Sequence, residues 1–139
     1  MAELPITYRG VVYPWQCDHM GHMNVMWYVG KFDEATWQLF ALLGITRSYL
    51  RTEKRAMAGV QQNTTYKREL YPGDVITVRS NVLELRERAI RFLHEMTNDE
   101  TCEVVATTEL TGVSLDAQTR RAISFSEEVL ERARSLCSG

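Results

Sequence analysis

A run of apolar residues too broad for one flat partner narrows the possible folds most. Val25, Val29, Phe32, Thr36, Leu39, Phe40 and Leu43 recur at three- and four-residue spacing, with Lys31, Asp33, Glu34 and Gln38 between them. That pattern predicts an amphipathic helix. Asn24 is a good N-cap and Gly44 a natural stop, which gives a helix of roughly 19 residues, about 28 Å long at 1.5 Å per residue. Met26, Trp27, Tyr28 and Leu42 add apolar bulk off the main stripe. By default the aromatics and methionines of this segment are core.

The rest of the chain reads mainly as strands. Residues 6–13 are rich in β-branched and aromatic side chains and end at Pro14, which predicts a first strand leading into the segment before the helix. Residues 46–58 carry Arg47, Arg51, Lys54 and Arg55 and read as a basic, irregular connection with room for one helical turn. Residues 59–70 read as a polar strand, better suited to an edge or a site than to an interior. The Tyr71-Pro72-Gly73-Asp74 turn has Pro and Gly where a type II turn wants them. Alternation over Val75–Leu85, residues 89–96 and residues 103–115 predicts three antiparallel strands with short polar connections. Ser126 can cap a last helix over Glu127–Leu136.

This order of elements predicts an α+β fold, a long helix lying on one curved antiparallel sheet, in a single domain over residues 1–139. The free edges and second face of such a sheet predict self-association as a homodimer or homotetramer. A formal net charge of −2 gives no global pull toward nucleic acid or anionic membrane. No apolar run approaches the roughly 20 residues of a membrane span, and residues 1–5 lack a secretory pattern. Three widely spaced cysteines make no disulfide framework and suit a reducing, cytoplasmic setting.

The chemistry-bearing residues crowd just ahead of the helix: Cys17, Asp18, His19, Gly21 and His22. Free N–H groups at a helix N-terminus can hold an oxygen that becomes an anion during a reaction. Gly21 allows close backbone approach. Asp18 is then a candidate nucleophile or general base, although spacing alone favours a loop carboxylate that only caps the helix. His19 and His22, three apart beside Asp18, raise a metal site as a rival. No second ligand cluster follows, so the expectation is chemistry without a metal or organic cofactor. Asn63 and Thr65 on the polar strand are candidates to reach a site shared across a dimer.

Trp15, Asp18, Gly21, His22 and Asn24, followed by Tyr28, Phe32, Glu34 and Ala35, resemble the signature of the hot-dog-fold acyl-CoA thioesterases of the 4-hydroxybenzoyl-CoA thioesterase family. The similarity extends to Tyr66, Gly73-Asp74 and the turn over residues 116–121. Gln16 and Val25 depart from the family's usual Asp and Asn. The resemblance implies a helix wrapped by a curved sheet and hydrolysis of an acyl-CoA to a free acid and CoA. It implies Asp18 as the catalytic carboxylate and the Val25 backbone N–H as oxyanion donor, with Gly21 shaping the loop. His22 and Asn24 are candidates to contact Asp18 or the substrate. A hot-dog protein that binds acyl-CoA without turnover is the alternative, with the His19, His22 and Asp18 metal site behind it.

Overall fold

The structure, a computed structural model, describes residues 3–137. Strand β1 (Ile6–Val11) and a 3-10 turn (Pro14–Gln16) lead to helix α1 (Val25–Leu42). There follow α2 (Arg47–Thr52), β2 (Arg55–Tyr66), β3 (Val75–Leu85), β4 (Ala89–Asn98), β5 (Val104–Asp116) and α3 (Glu127–Leu136). The five strands form one antiparallel sheet in the order β1-β3-β4-β5-β2. β1 pairs with β3 in a register that sets Arg9 against Thr77 and Val11 against Val75. This is the α+β hot-dog fold. No helix among the described residues is long and apolar enough to cross a membrane.

The chain forms two compact units, and α1 and the longer strands run through both. One contains residues up to Gln38 with Thr64–Ser80 and His94–Thr108. Its core sets Tyr28, Phe32 and Ala35 of α1 against Ile76, Val78, Met96 and Val105. The other contains Leu39–Asn63, Asn81–Leu93 and the chain from Glu109. There Leu39, Phe40 and Leu43 pack with Val82, Phe92 and Val129, and Phe40 meets Phe92 edge-on with ring centroids 5.6 Å apart. Each of these large side chains stabilises the fold by about 1.5–3 kcal/mol when fully buried. In α3, Ser126 accepts from the Val129 N–H as a cap, and Val129, Leu130 and Ala133 supply the buried face.

Three expectations need correction. The buried stripe of α1 runs through Tyr28, Phe32, Ala35 and Leu39 and continues to Leu43 just past the helix end, whereas Val25 and Val29 are exposed. Periodicity could not separate the two because the first turns are apolar all round. Lys31, expected among the solvated positions, is only 2% exposed. Its ammonium donates to the Tyr8 hydroxyl at 3.4 Å and lies 5.4 Å from that ring's centroid, so its apolar stem is buried while a polar tip and a π face satisfy the charge. Burial pushes the Lys31 pKa down.

The third correction is the extent of β2, which begins four residues early, at Arg55, and ends at Tyr66. Arg55 holds this early start by donating to the Ser124 carbonyl and lying over the Tyr49 ring. At the other end the N–H groups of Lys67 and Arg68 both donate to the Val105 carbonyl, at 2.8 and 3.1 Å. Two donors on one acceptor break the ladder and turn the chain, so that Leu70 drops into the core, fully buried.

Candidate active site

The segment before α1 is a tight loop closed by short-range pairing. Cys17 and Met23 form an antiparallel bridge, Asp18 N–H donates to the His22 carbonyl at 3.1 Å, and Gly21 N–H donates to the Asp18 carbonyl at 3.0 Å. Gly21 has φ +87°, a left-handed conformation that glycine adopts without a steric penalty. Two further bonds anchor the loop: Asn24 N–H to the Gln16 carbonyl at 2.9 Å and Met23 N–H to the Leu70 carbonyl at 2.7 Å.

Both oxygens of Asp18 are occupied. Oδ1 accepts from the Met20 N–H and Oδ2 from the Asn24 side-chain amide, each at 2.9 Å. The Met20 N–H and, less strongly, Asn24 hold the Asp18 carboxyl below the usual carboxylate range against opposing desolvation. Hydrogen bonds to the charged form favour it, so the group is an anion throughout the neutral range.

Asn24 also caps the helix, with Oδ1 accepting from the Met26 N–H and its carbonyl from the Trp27 N–H, both at 2.9 Å. The Val25 N–H is left without an acceptor among the described residues. An unpaired donor in the first turn, at the positive end of α1, is suited to an incoming oxygen.

A cavity of about 630 Å³ opens beside this loop, walled by His22, Val25, Tyr28, Tyr66, Lys67, Arg68, Glu69 and Tyr71. Asp18 is not among the wall residues. His22 Nε2 is 3.3 Å from a Glu69 carboxylate oxygen, and the Tyr71 hydroxyl donates to the other at 2.8 Å. The Tyr28 hydroxyl donates to the Arg68 carbonyl at 3.0 Å, and burial raises its pKa to about 12. The Tyr28 and Tyr66 rings meet edge-on at 5.2 Å.

Asp18, Gly21, His22, Asn24 and Val25 are thus brought into one loop and the helix turn that follows it. Asn63 and Thr65 are exposed on β2, while Thr64 between them pairs with the Thr108 hydroxyl at 2.8 Å. Among the described residues no three His, Cys, Asp or Glu side chains are grouped to hold a metal ion. Sequence reasoning passed over Glu69 and Tyr71. The available signal was a lone apolar residue, Leu70, between a polar strand and a strong turn, which forces its two neighbours to the outside.

The family model described as the thioesterase-like superfamily matches residues 12–133. A betainyl-CoA thioesterase from Pseudomonas aeruginosa is 25% identical over 138 residues, covering 98% of this chain and 86% of that protein. Among solved structures, a Staphylococcus aureus protein in complex with CoA superposes with a TM-score of 0.90 at 19% identity, covering 100% of this chain and 90% of that one. A 1,4-dihydroxy-2-naphthoyl-CoA thioesterase from Synechocystis gives 0.83 at 14% identity, covering 94% and 96%.

Proposed function

Because the chain belongs to the thioesterase-like superfamily and is a thioesterase, we propose that residues 1–139 act as one domain that hydrolyses an acyl-CoA to a free acid and CoA through Asp18. The observation that carries this reading is an ionised carboxylate, fixed by two donors, in the loop that ends at an unpaired N–H of the α1 first turn. The CoA class is supported by the betainyl-CoA thioesterase similarity and by the CoA-bound structural neighbour.

The chemistry follows from these groups. The thioester carbonyl oxygen accepts from the Val25 N–H, which stabilises the negative charge that builds on it. Asp18 attacks the carbonyl carbon to give a mixed anhydride that water then cleaves, or it takes the proton of an attacking water. Its lowered pKa keeps it ionised for either route. Gly21 keeps the loop open to the substrate, and Asn24 aligns Asp18 while it caps the helix.

The working unit is at least a homodimer. Support comes from the exposed edge strand β2 with Asn63 and Thr65, and from apolar side chains left in water near the loop, Trp15 at 68%, Met26 at 64% and Val25 at 56% exposure. A partner that covers them completes the substrate site. A panel of betainyl-, aromatic and long-chain acyl-CoAs, read by release of free thiol, tests the activity. Turnover of at least one member is expected, and no turnover of any would overturn the reading.

A further inference from the structure

The cavity beside the loop has a chemistry that the roles assigned so far leave unused. Four rings stand on its wall, in two pairs set nearly at right angles. Tyr28 and Tyr66 meet at 80° with centroids 5.2 Å apart, and His22 and Tyr71 at 86° with centroids 6.3 Å apart. Perpendicular rings make corners, not the parallel-sided slot in which a planar group stacks. Such corners suit a rounded ligand.

The polar groups of the same wall narrow the ligand further. The Tyr28 hydroxyl donates to the Arg68 carbonyl and the Tyr71 hydroxyl to Glu69, so these two side chains offer a ligand their rings. The Glu69 carboxylate lies between two wall side chains, 3.3 Å from His22 Nε2 and 2.8 Å from the Tyr71 hydroxyl. Its hydrogen bond and its charge raise the Tyr71 pKa. No arginine or lysine pairs with Glu69 among the described residues. Arg68 is engaged at 3.1 Å by Glu103, which is not on the wall, and Lys67 is exposed.

Ring faces attract positive charge through their quadrupole, and an unmatched carboxylate adds a full opposite charge. A primary ammonium carries three N–H donors that each need an acceptor. A fully alkylated ammonium carries none, which matches a wall whose Tyr28 and Tyr71 hydroxyls are already engaged. Resting on the thioesterase reading above, we propose that this cavity takes an acyl group ending in a quaternary ammonium, with Glu69 and the Tyr28, Tyr66 and Tyr71 rings as specificity-determining residues. Val25, whose N–H receives the thioester carbonyl in that reading, belongs to the same wall. The acyl chain therefore leads from the reacting carbon into the cavity.

Two acyl-CoAs of one shape test this: betainyl-CoA, and 3,3-dimethylbutanoyl-CoA, in which a carbon replaces the quaternary nitrogen. The ammonium also makes its own thioester more reactive, so the readout is the change in preference between wild type and variant. Glu69→Gln keeps the size of the side chain and an acceptor for Tyr71 but removes the charge. It should lower kcat/KM for betainyl-CoA by about tenfold and leave the neutral isostere within about twofold of wild type. Tyr66→Leu, which removes a π face and keeps an apolar side chain, should shift the preference the same way by about threefold, and Tyr66→Phe should retain it. Equal effects of Glu69→Gln on both acyl-CoAs, or hydrolysis of the neutral one alone, would overturn the proposal and leave the thioesterase reading standing. No turnover of any acyl-CoA would instead break that reading, and the proposal with it.

Discussion

His94 and His22 both belong to short chains of hydroxyl and carboxyl groups, but one chain is sealed and the other faces a cavity. His94 is fully buried and stacked on Phe32 with centroids 5.9 Å apart. Its Nε2 pairs with the Thr36 hydroxyl at 2.9 Å and its Nδ1 with the Ser80 hydroxyl at 2.6 Å, which pairs in turn with Thr7 at 2.7 Å. The chain ends on two backbone acceptors, the Phe32 carbonyl 3.1 Å from Thr36 and the Val78 carbonyl 3.4 Å from Thr7, so its protons can run toward either end. Both ring nitrogens are consumed by protein, and burial pushes the pKa down to about 4. Such a histidine can specify packing but cannot exchange protons with a substrate. The His22 ring meets Tyr71 edge-on with centroids 6.3 Å apart, and its Nε2 lies 3.3 Å from a Glu69 carboxylate oxygen on the cavity wall. The number of ring nitrogens already used, and by what, separates the structural histidine from the candidate functional one.

The sharpest way to break this comparison is to remove each ring. His94→Ala should cost about 3–5 kcal/mol, because it opens a cavity in the core and leaves the Thr36 and Ser80 hydroxyls short of a partner. His22→Ala should cost less than about 1 kcal/mol of stability, the range for exposed pairs, while turnover falls. Denaturant unfolding and thiol-release kinetics on the same preparations check both. Equal stability losses would erase the distinction.

Acid should act on the sealed site next. The folded-state pKa of His94 lies below its unfolded value of 6.5, so between pH 6.5 and about 4 the unfolded chain binds the extra proton. Stability contributed by the neutral ring is therefore present above pH 6.5 and is lost as pH falls toward 4, by roughly 2–3 kcal/mol. Unfolding free energies across that window should show this slope, and His94→Gln should flatten it.

A smaller effect is expected at Asn24, which serves both the cap and Asp18. Asn24→Ala should lower stability by about 1 kcal/mol, as loss of an N-cap does. It should also lower kcat on the order of tenfold, less than the ~10² that a full 1 Å misplacement can cost. A stability loss with unchanged kcat would reduce Asn24 to a cap.

Much of this was legible in the chain. The α3 cap at Ser126, the β3 boundaries and the Pro72-Gly73 turn follow from local rules, since each depends on residues within a few positions. So did the grouping of Asp18, Gly21, His22 and Asn24, which the short loop between the 3-10 turn and α1 holds together by its own backbone bonds, with Val25 as the first residue of the helix. What periodicity could not resolve was which side of α1 meets the sheet, because Val25, Met26 and Val29 are apolar without being buried. Nor could it reveal that Lys31 folds inward onto Tyr8, or that Glu69 reaches His22. Those contacts join residues 23 and 47 positions apart, and pairing at that distance is set by the sheet register and by the turn at Leu70, not by spacing along the sequence.

The most direct test of the central claim is the turnover of Asp18→Asn on an acyl-CoA that the wild-type protein hydrolyses. Asn keeps the size of the side chain and an acceptor for the Met20 N–H but can neither attack a carbonyl nor take a proton. We expect kcat to fall by about 10³-fold, within the range a positioned catalytic group contributes, with the thermal midpoint within a few degrees of wild type and substrate still bound. A kcat within about tenfold of wild type would contradict the account.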